Sequence, residues 1–266
     1  MDHVNQTLFI PLYGKARVSG QNIILRDPKA EEIWEKEAFP VRGKSASKWL
    51  AYNMAMRARV FDDWTEAMLR KDQAALVLHI GCGLDSRCIR VKEPYAEWID
   101  IDMPAVIEQR RLYFEETASY KMVAADASKP EEIKLLPDAE CVIVVLEGLS
   151  MYLTNRQLKD LFRTFDEKYH EIHILMDVYT DFAARASKYK NPVNEVGVTE
   201  LYGLDDPASL TVGTRLVLKG EHSFTPGRLV NELPGADRLF FKALFTGKLY
   251  GKLYRLYEFE AAASAG

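Results

Sequence analysis

The sequence is poor in cysteine and lacks the spacings in which cysteine usually carries a function. Its only cysteines are Cys82, Cys88 and Cys141, an odd number with no Cys-x-x-Cys pair among them. This pattern excludes a disulfide framework and the common zinc-binding motifs. We therefore expect three reduced thiols within apolar segments, as in a cytoplasmic protein. The sequence predicts no metal site.

Long apolar runs and an excess of charge of one sign are also missing. The chain of 266 residues has 35 basic and 39 acidic residues, a net charge of -4, which gives no electrostatic reason to expect a nucleic acid or an anionic membrane as partner. No basic segment followed by a long apolar stretch opens the chain, so we expect a soluble, intracellular protein. The 48% hydrophobic content is enough for one compact domain, whereas the oligomeric state stays open.

A third absence concerns the glycine-rich turn that follows the first strongly apolar run. Leu76–Ile80 predicts a buried parallel strand, and Gly81 and Gly83 follow as a tight turn toward a helix. The dinucleotide-binding pattern Gly-x-Gly-x-x-Gly has a third glycine where this chain has Ser86. Asp85 would repel a pyrophosphate at the helix N-terminus, although it is equally suited to cap that helix. The turn therefore argues against a nicotinamide-dependent reductase and suits a nucleoside without phosphates, such as S-adenosylmethionine.

What the sequence contains is an alternation of strands and helices. Further strands are predicted at 97–101, 121–125, 141–146 and 172–178, and helices at 104–117, 130–136, 154–169 and 180–189. This order is typical of a doubly wound, mostly parallel α/β sheet. Strands at 216–224 and 253–260, with a helix at 238–246 between them, are expected to add an antiparallel edge pair.

Two segments lie outside this alternation. Residues 1–72 are predicted to be mostly helical and to form a lid or a packing extension over the core at 73–266, within one domain. Asp27 and Pro28 predict the start of one of these helices. The segment 191–210 contains prolines and glycines, and it predicts a mobile insertion that covers the substrate.

Polar residues or glycine follow four of the predicted strands. Gly81, Asp102, Asp126 and Glu147 each come at a strand end. Because ligands of doubly wound sheets bind beyond the carboxyl ends of parallel strands, we expect these four residues on one rim of the sheet. An acidic residue after the second strand is typical of a group that binds ribose hydroxyls.

Taken together, these motifs resemble the leucine carboxyl methyltransferase family, which includes polyketide carboxyl O-methyltransferases. The resemblance rests on Gly81-Cys-Gly-Leu-Asp-Ser-Arg, Asp100-Ile-Asp-Met-Pro, Asp126 and Glu147-Gly-Leu-Ser-Met-Tyr-Leu. It extends to Leu12-Tyr-Gly-Lys-Ala, Leu25-Arg-Asp-Pro, Gly220-Glu-His-Ser-Phe and Lys252-Leu-Tyr-Arg-Leu-Tyr. It implies a class I, Rossmann-like fold with a seven-stranded sheet and an enzyme that uses S-adenosylmethionine without a metal and releases S-adenosylhomocysteine.

The resemblance also implies roles for individual residues. Gly81, with Gly83 in the same turn, corresponds to the backbone contact with the methionine part of the cofactor. Asp102 corresponds to the ribose ligand, and Asp100 is a second candidate for that role. The remaining matches are Asp126 and Ala127 at the adenine, Glu147 near the methionine amino group, and Lys15 and Arg57 at the methionine carboxylate.

The acceptor is the least determined part of the sequence-based prediction. We expect O-methylation of a small metabolite, on a carboxylate or a hydroxyl. A carboxylate needs no general base, and Arg57 is then the candidate to orient it; a hydroxyl would need a base, for which His173, His222 and Tyr152 are candidates. The alternatives are a protein C-terminal carboxylate as acceptor, or a protein that binds the nucleoside without catalysis.

Overall fold

The computed structural model of this chain describes residues 8–40, 43–190, 201–246 and 250–262. They contain one seven-stranded sheet in the order β3-β2-β1-β4-β5-β7-β6. The strands are β1 Leu76–Ile80, β2 Glu97–Asp102, β3 Tyr120–Ala124, β4 Cys141–Leu146, β5 Glu171–Tyr179, β6 Val217–His222 and β7 Tyr254–Ala261. Strands β1 to β5 are parallel, and β7 pairs antiparallel with both β5 and β6. The predicted doubly wound sheet with an antiparallel edge pair is confirmed.

The centre of the sheet follows directly from the apolar runs. Every residue of β1 and β4 is buried, because helices cover both faces of a parallel sheet. The strand ends that the sequence predicted to meet therefore do so at one edge, beyond the carboxyl ends of β1 to β4.

The helices of the described residues begin where local signals predict. Asp27 accepts a hydrogen bond from the Ala30 amide at 3.0 Å, and Thr154 and Gln157 form a capping box. Two predicted helices are shorter than expected, since those beginning at Pro104 and Pro130 end at Arg110 and Ile133. The bounds are α1 Phe9–Ser19, α2 Pro28–Glu37, α3 Lys48–Leu69, α4 Arg87–Arg90, α5 Pro104–Arg110, α6 Pro130–Ile133, α7 Asn155–Lys168, α8 Asp181–Lys190, α9 Gly227–Val230 and α10 Gly235–Phe245. In the described ranges, none of these helices has both the length and the apolar character needed to cross a bilayer.

The N-terminal helices are packed against one face of the sheet. Met56, Phe61 and Trp64 of α3 share one hydrophobic cluster with Val77 of β1 and Val145 of β4. This packing holds α1 and α3 beside the carboxyl ends of the strands, where they contribute side chains to the cavity described below.

Part of the predicted insertion packs against the sheet as well. Residues 191–200 lie outside the described residues. In the remainder, Leu204 and Leu210 are buried, and the Leu204 amide donates to the Tyr179 carbonyl oxygen at 2.8 Å. Residues 201–210 are therefore anchored to the end of β5, where the sequence predicted a mobile insertion.

Candidate active site

A cavity of about 710 Å³ lies at the carboxyl ends of the parallel strands, within the size range of small-molecule sites. Nine of the predicted site residues line it: Lys15, Arg57, Gly81, Gly83, Asp102, Asp126, Ala127, Glu147 and Tyr152. Residues separated by more than a hundred positions in the sequence thus share one wall, because α1 and α3 pack next to the strand ends.

The glycine turn and Asp102 form one hydrogen-bonded unit at the floor of the cavity. Gly81 and Gly83 have φ angles of +74° and +53°, in the left-handed region that favours glycine. The two Asp102 carboxylate oxygens accept from the Gly83 and Met103 amides, each at 2.8 Å. Since a carboxylate oxygen can accept more than one hydrogen bond, Asp102 retains acceptor capacity toward the cavity.

A second carboxylate lies beyond β3. Asp126 Oδ1 accepts from the Ser128 amide at 2.9 Å, while the Asp126 amide donates to Glu132 at 2.7 Å. These bonds fix the turn that carries Asp126 and Ala127 at the rim of the cavity. The turn offers a hydrogen-bond acceptor beside a small apolar side chain.

Arg57 is the most extensively bonded cation of the cavity. Its Nε donates to Glu147 Oε1 at 2.9 Å, and its Nη1 donates to Asp177 Oδ2 at 3.0 Å and to the Tyr254 hydroxyl at 2.7 Å. The guanidinium lies over Gly148, where an added Cβ would be 3.3 Å from Nη2. Among the described residues, we find no acceptor for Nη2. Arg57 is therefore held by three partners and retains donor capacity toward the cavity.

Glu147 is held between two arginines. Besides Arg57, it accepts a hydrogen bond from Arg87 Nη2, and Arg87 is fully buried. Burial raises the pKa of Glu147, but Arg57 and Arg87 outweigh it and lower the pKa to about 2. The cavity thus presents an ionised carboxylate at neutral pH. On the neighbouring helix, Lys15 is ion-paired with Asp85, and both are buried.

The family assignment follows from comparison with known proteins. The sequence profile of the leucine carboxyl methyltransferase family matches residues 10–166, which is more than half of the chain. This protein belongs to that family. It is 31% identical over 210 residues to the tetracenomycin polyketide synthesis O-methyltransferase of Streptomyces glaucescens, covering 78% of this chain and 77% of the relative. A second relative, an S-adenosyl-L-methionine-dependent methyltransferase of Gibberella zeae, is 25% identical over 228 residues, covering 77% and 76% of the two chains.

Solved structures agree on the fold of this methyltransferase. Magnesium protoporphyrin IX methyltransferase from Synechocystis, with bound S-adenosylhomocysteine, aligns with a TM-score of 0.52 at 10% identity over 87% of this chain and 94% of that chain. An S-adenosylmethionine-dependent methyltransferase from Mesorhizobium loti aligns with a TM-score of 0.52 at 13% identity over 75% and 97% of the two chains. With the family match, the predicted class I fold, enzyme class and methyl donor are confirmed: the protein is an S-adenosylmethionine-dependent methyltransferase.

One predicted cofactor ligand of this methyltransferase has a different environment. Asp100 is fully buried, and it accepts hydrogen bonds from Arg110, the Tyr120 hydroxyl at 2.7 Å and Trp98 Nε1 at 2.9 Å. Arg110 is fully buried as well and donates to the Gly83 carbonyl oxygen at 2.9 Å. The prediction of Asp100 as a ribose ligand is therefore corrected: the pair supports the glycine turn from within the protein.

Two of the three candidate bases are also absent from the cavity wall. His222 Nε2 contacts Glu258 at 2.6 Å, and His173 Nε2 contacts Glu171 at 2.9 Å, but neither histidine lines the cavity. Tyr152 remains at the cavity as predicted, with 36% of its surface exposed.

Three residues of the site were not found from the sequence. Asp177 lies near the carboxyl end of β5, so the rule on strand ends contains the signal for it. Tyr254 comes from the antiparallel β7, and Arg87 from α4, for which no spacing rule predicts a contact with Arg57 or Glu147. These side chains hold the predicted residues in place.

Replacing Asp100 with asparagine is expected to lower stability much more than cofactor affinity. The change leaves Arg110 as a buried charge without its counter-ion, at a cost of about 3 to 5 kcal/mol, equivalent to a Tm lower by roughly 10 °C for a domain of this size. Calorimetry should show this decrease, with S-adenosylhomocysteine affinity of the folded protein changed less than about tenfold, the factor for 1.4 kcal/mol. Glu108 is an exposed residue of α5, the helix that carries Arg110. An equal loss of stability in Glu108→Gln would contradict this interpretation.

The pH dependence of the free energy of unfolding should also show the effect of the pair Asp100 and Arg110. Burial opposes ionisation of Asp100, but Arg110 and His79 lower its pKa from 3.8 to about 2. A lowered pKa in the folded state means that the stabilisation is present above the ordinary pKa of 3.8 and is lost as the pH falls toward 2. This part of the acid transition should be reduced in Asp100→Asn.

Proposed function

We propose that this enzyme transfers the methyl group to the carboxylate of a small, largely apolar metabolite. The observation that carries the proposal is the distribution of charge in the cavity. Lys15, Arg57 and Glu147 lie at one end, and Asp102 and Asp126 lie near the glycine turn and the end of β3. This arrangement complements a ligand that has an amino acid moiety at one end and a nucleoside at the other.

Each polar group of the cofactor has a partner in this arrangement. Its methionine carboxylate is assigned to Lys15 and to the Nη2 of Arg57, and its ammonium group to the ionised Glu147. Its ribose hydroxyls are assigned to Asp102, which keeps acceptor capacity, and its adenine to the turn at Asp126 and Ala127. When bound, S-adenosylmethionine supplies a methyl group on a sulfonium, which makes that carbon electrophilic. The protein aligns the two reactants and excludes water.

The apolar part of the cavity wall supports an apolar substrate. This part includes the side chains of Leu50, Met54, Met151, Ala183, Ala186 and Leu253. Among the described lining residues there is no histidine, which favours an acceptor that needs no general base. A carboxylate with a pKa near ~4 is already ionised at neutral pH. Arg57 and Tyr152 are the polar side chains that we assign to its orientation.

The test is to incubate the enzyme with S-adenosylmethionine labelled in the methyl group and with matched pairs of apolar carboxylic acids and phenols. A methyl ester is hydrolysed by alkali and releases labelled methanol, whereas a phenol ether is stable. Release of labelled methanol from the acid series supports the proposal. Label found only in alkali-stable products would show a hydroxyl acceptor, and label found only on added peptides would show a protein carboxylate. Cofactor binding without transfer to any of these acceptors would contradict the proposed acceptor class.

The pH profile gives an independent check. Because the proposed nucleophile is ionised well below neutral pH and Glu147 has a pKa of about 2, we expect kcat to be constant within about twofold between roughly pH 6 and 8. A phenol acceptor would instead give a rate that rises with pH, since the phenolate fraction increases toward a pKa near ~10. A steep rise across this range, measured at saturating concentrations of both substrates, would contradict a carboxylate acceptor.

A further inference from the structure

Cys141, Glu171 and His173 form a cluster of side chains that can bind a metal ion. The cluster lies at the beginnings of β4 and β5, at the end of the sheet opposite the cavity. Cys141 is the first residue of β4, and Glu171 is its register partner and the first residue of β5. His173 is two residues further along β5, so it projects from the same face as Glu171. One possible ligand atom from each residue lies within 4.8 Å of the other two. The strand register, which brings residues 30 apart in the sequence side by side, creates this cluster.

The cluster is largely enclosed, and one of its atoms has no partner. Cys141 is buried, and the His173 side chain is 14% exposed. Its Nε2 lies 2.9 Å from Glu171 Oε1, but its Nδ1 is a buried nitrogen with no hydrogen-bond partner among the described residues. The protein therefore encloses an imidazole without using both of its nitrogens, which is unusual for a buried polar group.

The surroundings of the thiol are negatively charged. Its charged neighbours are Asp72, Glu171 and Glu140. Carboxylates grouped around one thiol favour the binding of a cation.

We propose that Cys141, Glu171 and His173 bind a divalent transition metal ion of the zinc type. Sulfur, imidazole nitrogen and carboxylate oxygen are the ligands that zinc prefers, and where a protein supplies three ligands a water completes the tetrahedral site. On binding, the metal–sulfur bond replaces the S–H bond of Cys141, and the proton passes to the solvent.

The position of this site indicates a structural role. It joins the beginnings of β4 and β5, away from the cavity at the carboxyl ends. The Glu171 side chain, 39% exposed, gives the ion a route from solvent. The site does not depend on the acceptor or on the proposed methyl transfer.

The test uses Co²⁺ as the probe, added to the full-length, metal-stripped protein. A thiolate ligand gives a charge-transfer band in the near ultraviolet, so we expect one equivalent of Co²⁺ to produce this band and Zn²⁺ to abolish it. Cys141→Ser should eliminate the band. His173→Ala should weaken Co²⁺ binding by more than about tenfold, because loss of a residue that only supports a ligand already lowers metal affinity by about that factor. Zn²⁺ should also raise the Tm of the wild type but not of Cys141→Ser.

Two matched variants control for adventitious binding. His170→Ala removes an exposed histidine three positions away, and Cys88→Ser removes a thiol outside the cluster; both should keep the band. Absence of the band in the wild type at stoichiometric Co²⁺ would overturn the proposal. Its persistence in Cys141→Ser would do the same, since another thiol would then be the ligand.

Discussion

Asp102→Asn is expected to weaken S-adenosylmethionine binding by about a hundredfold while leaving the fold nearly as stable as the wild type. A hydrogen bond to a charged acceptor contributes about 1.5 to 3 kcal/mol, and the ribose diol offers two donors. Losing the charge therefore costs about 3 kcal/mol, and each 1.4 kcal/mol is tenfold in affinity. Among the described residues, Asp102 accepts hydrogen bonds from two backbone amides, at 2.8 Å each, so we expect stability to change by only about 1 kcal/mol.

Isothermal titration calorimetry with S-adenosylmethionine and S-adenosylhomocysteine would measure this effect, and thermal unfolding would measure the stability. The matched variant is Asp100→Asn, two residues earlier on the same strand, for which the expected pattern is reversed. Unchanged affinity in Asp102→Asn would remove the ribose assignment. Failure of folded wild-type protein to bind either compound would contradict the arrangement of the whole cavity.

Substitution of Arg57 is expected to abolish methyl transfer and to destabilise the protein at the same time. Arg57 is buried together with Glu147 and Asp177, and the ion pairs join Nε and Nη1 to these carboxylates at 2.9 and 3.0 Å. In Arg57→Ala two buried carboxylates lose a cation, which costs about 3 to 5 kcal/mol. The Tm should fall by roughly 10 °C, and cofactor binding should be lost in the protein that remains folded.

Arg57→Lys separates the two effects. Lysine keeps the positive charge, but a single ammonium group cannot reproduce the planar fork that reaches Glu147, Asp177 and the Tyr254 hydroxyl together. We expect this variant to be folded and to lose about a hundredfold or more in kcat/KM, equivalent to about 2.7 kcal/mol of transition-state stabilisation. Steady-state kinetics and thermal unfolding would be measured on the same preparation.

The control is Arg59→Ala, which removes a half-exposed arginine two positions along α3. Its ion pair with Asp63 spans four residues of one helix, and such surface pairs contribute at most about 1 kcal/mol. Equal losses of activity in Arg59→Ala and Arg57→Lys would show that Arg57 acts only through the packing of α3.

The glycine turn shows how much local sequence can establish. Gly81, Gly83 and Asp102 were predicted to lie together, and they do, because the carboxyl ends of parallel strands meet at one end of a doubly wound sheet. The parallel direction of the strands was predicted from the alternation of strands and helices, whereas their order in the sheet was not. Lys15 and Arg57 were placed by resemblance alone, since nothing in helical periodicity distinguishes them from other basic residues.

Asp100 and Asp102 show what this reasoning could not predict, namely which of two carboxylates on one strand reaches the cavity. Both are acidic residues of β2 with the same side-chain direction, but Asp102 is at the strand end and reaches the cavity, whereas Asp100 lies one step further in and meets Arg110. Which of two carboxylates meets a ligand depends on the helix that packs over the strand. The docking of α5 was not determined by any pattern in the sequence.

The sequence by itself determined the strands, the rim of strand ends and the glycine turn, because periodicity and glycine act over short stretches of chain. Only the tertiary structure decided which charges are paired: Arg57 with Glu147 and Asp177, Arg110 with Asp100, and Cys141 beside Glu171 and His173. The physical reason is that burying a charge or a polar atom requires a partner. Strand register and helix docking supply that partner from distant parts of the chain.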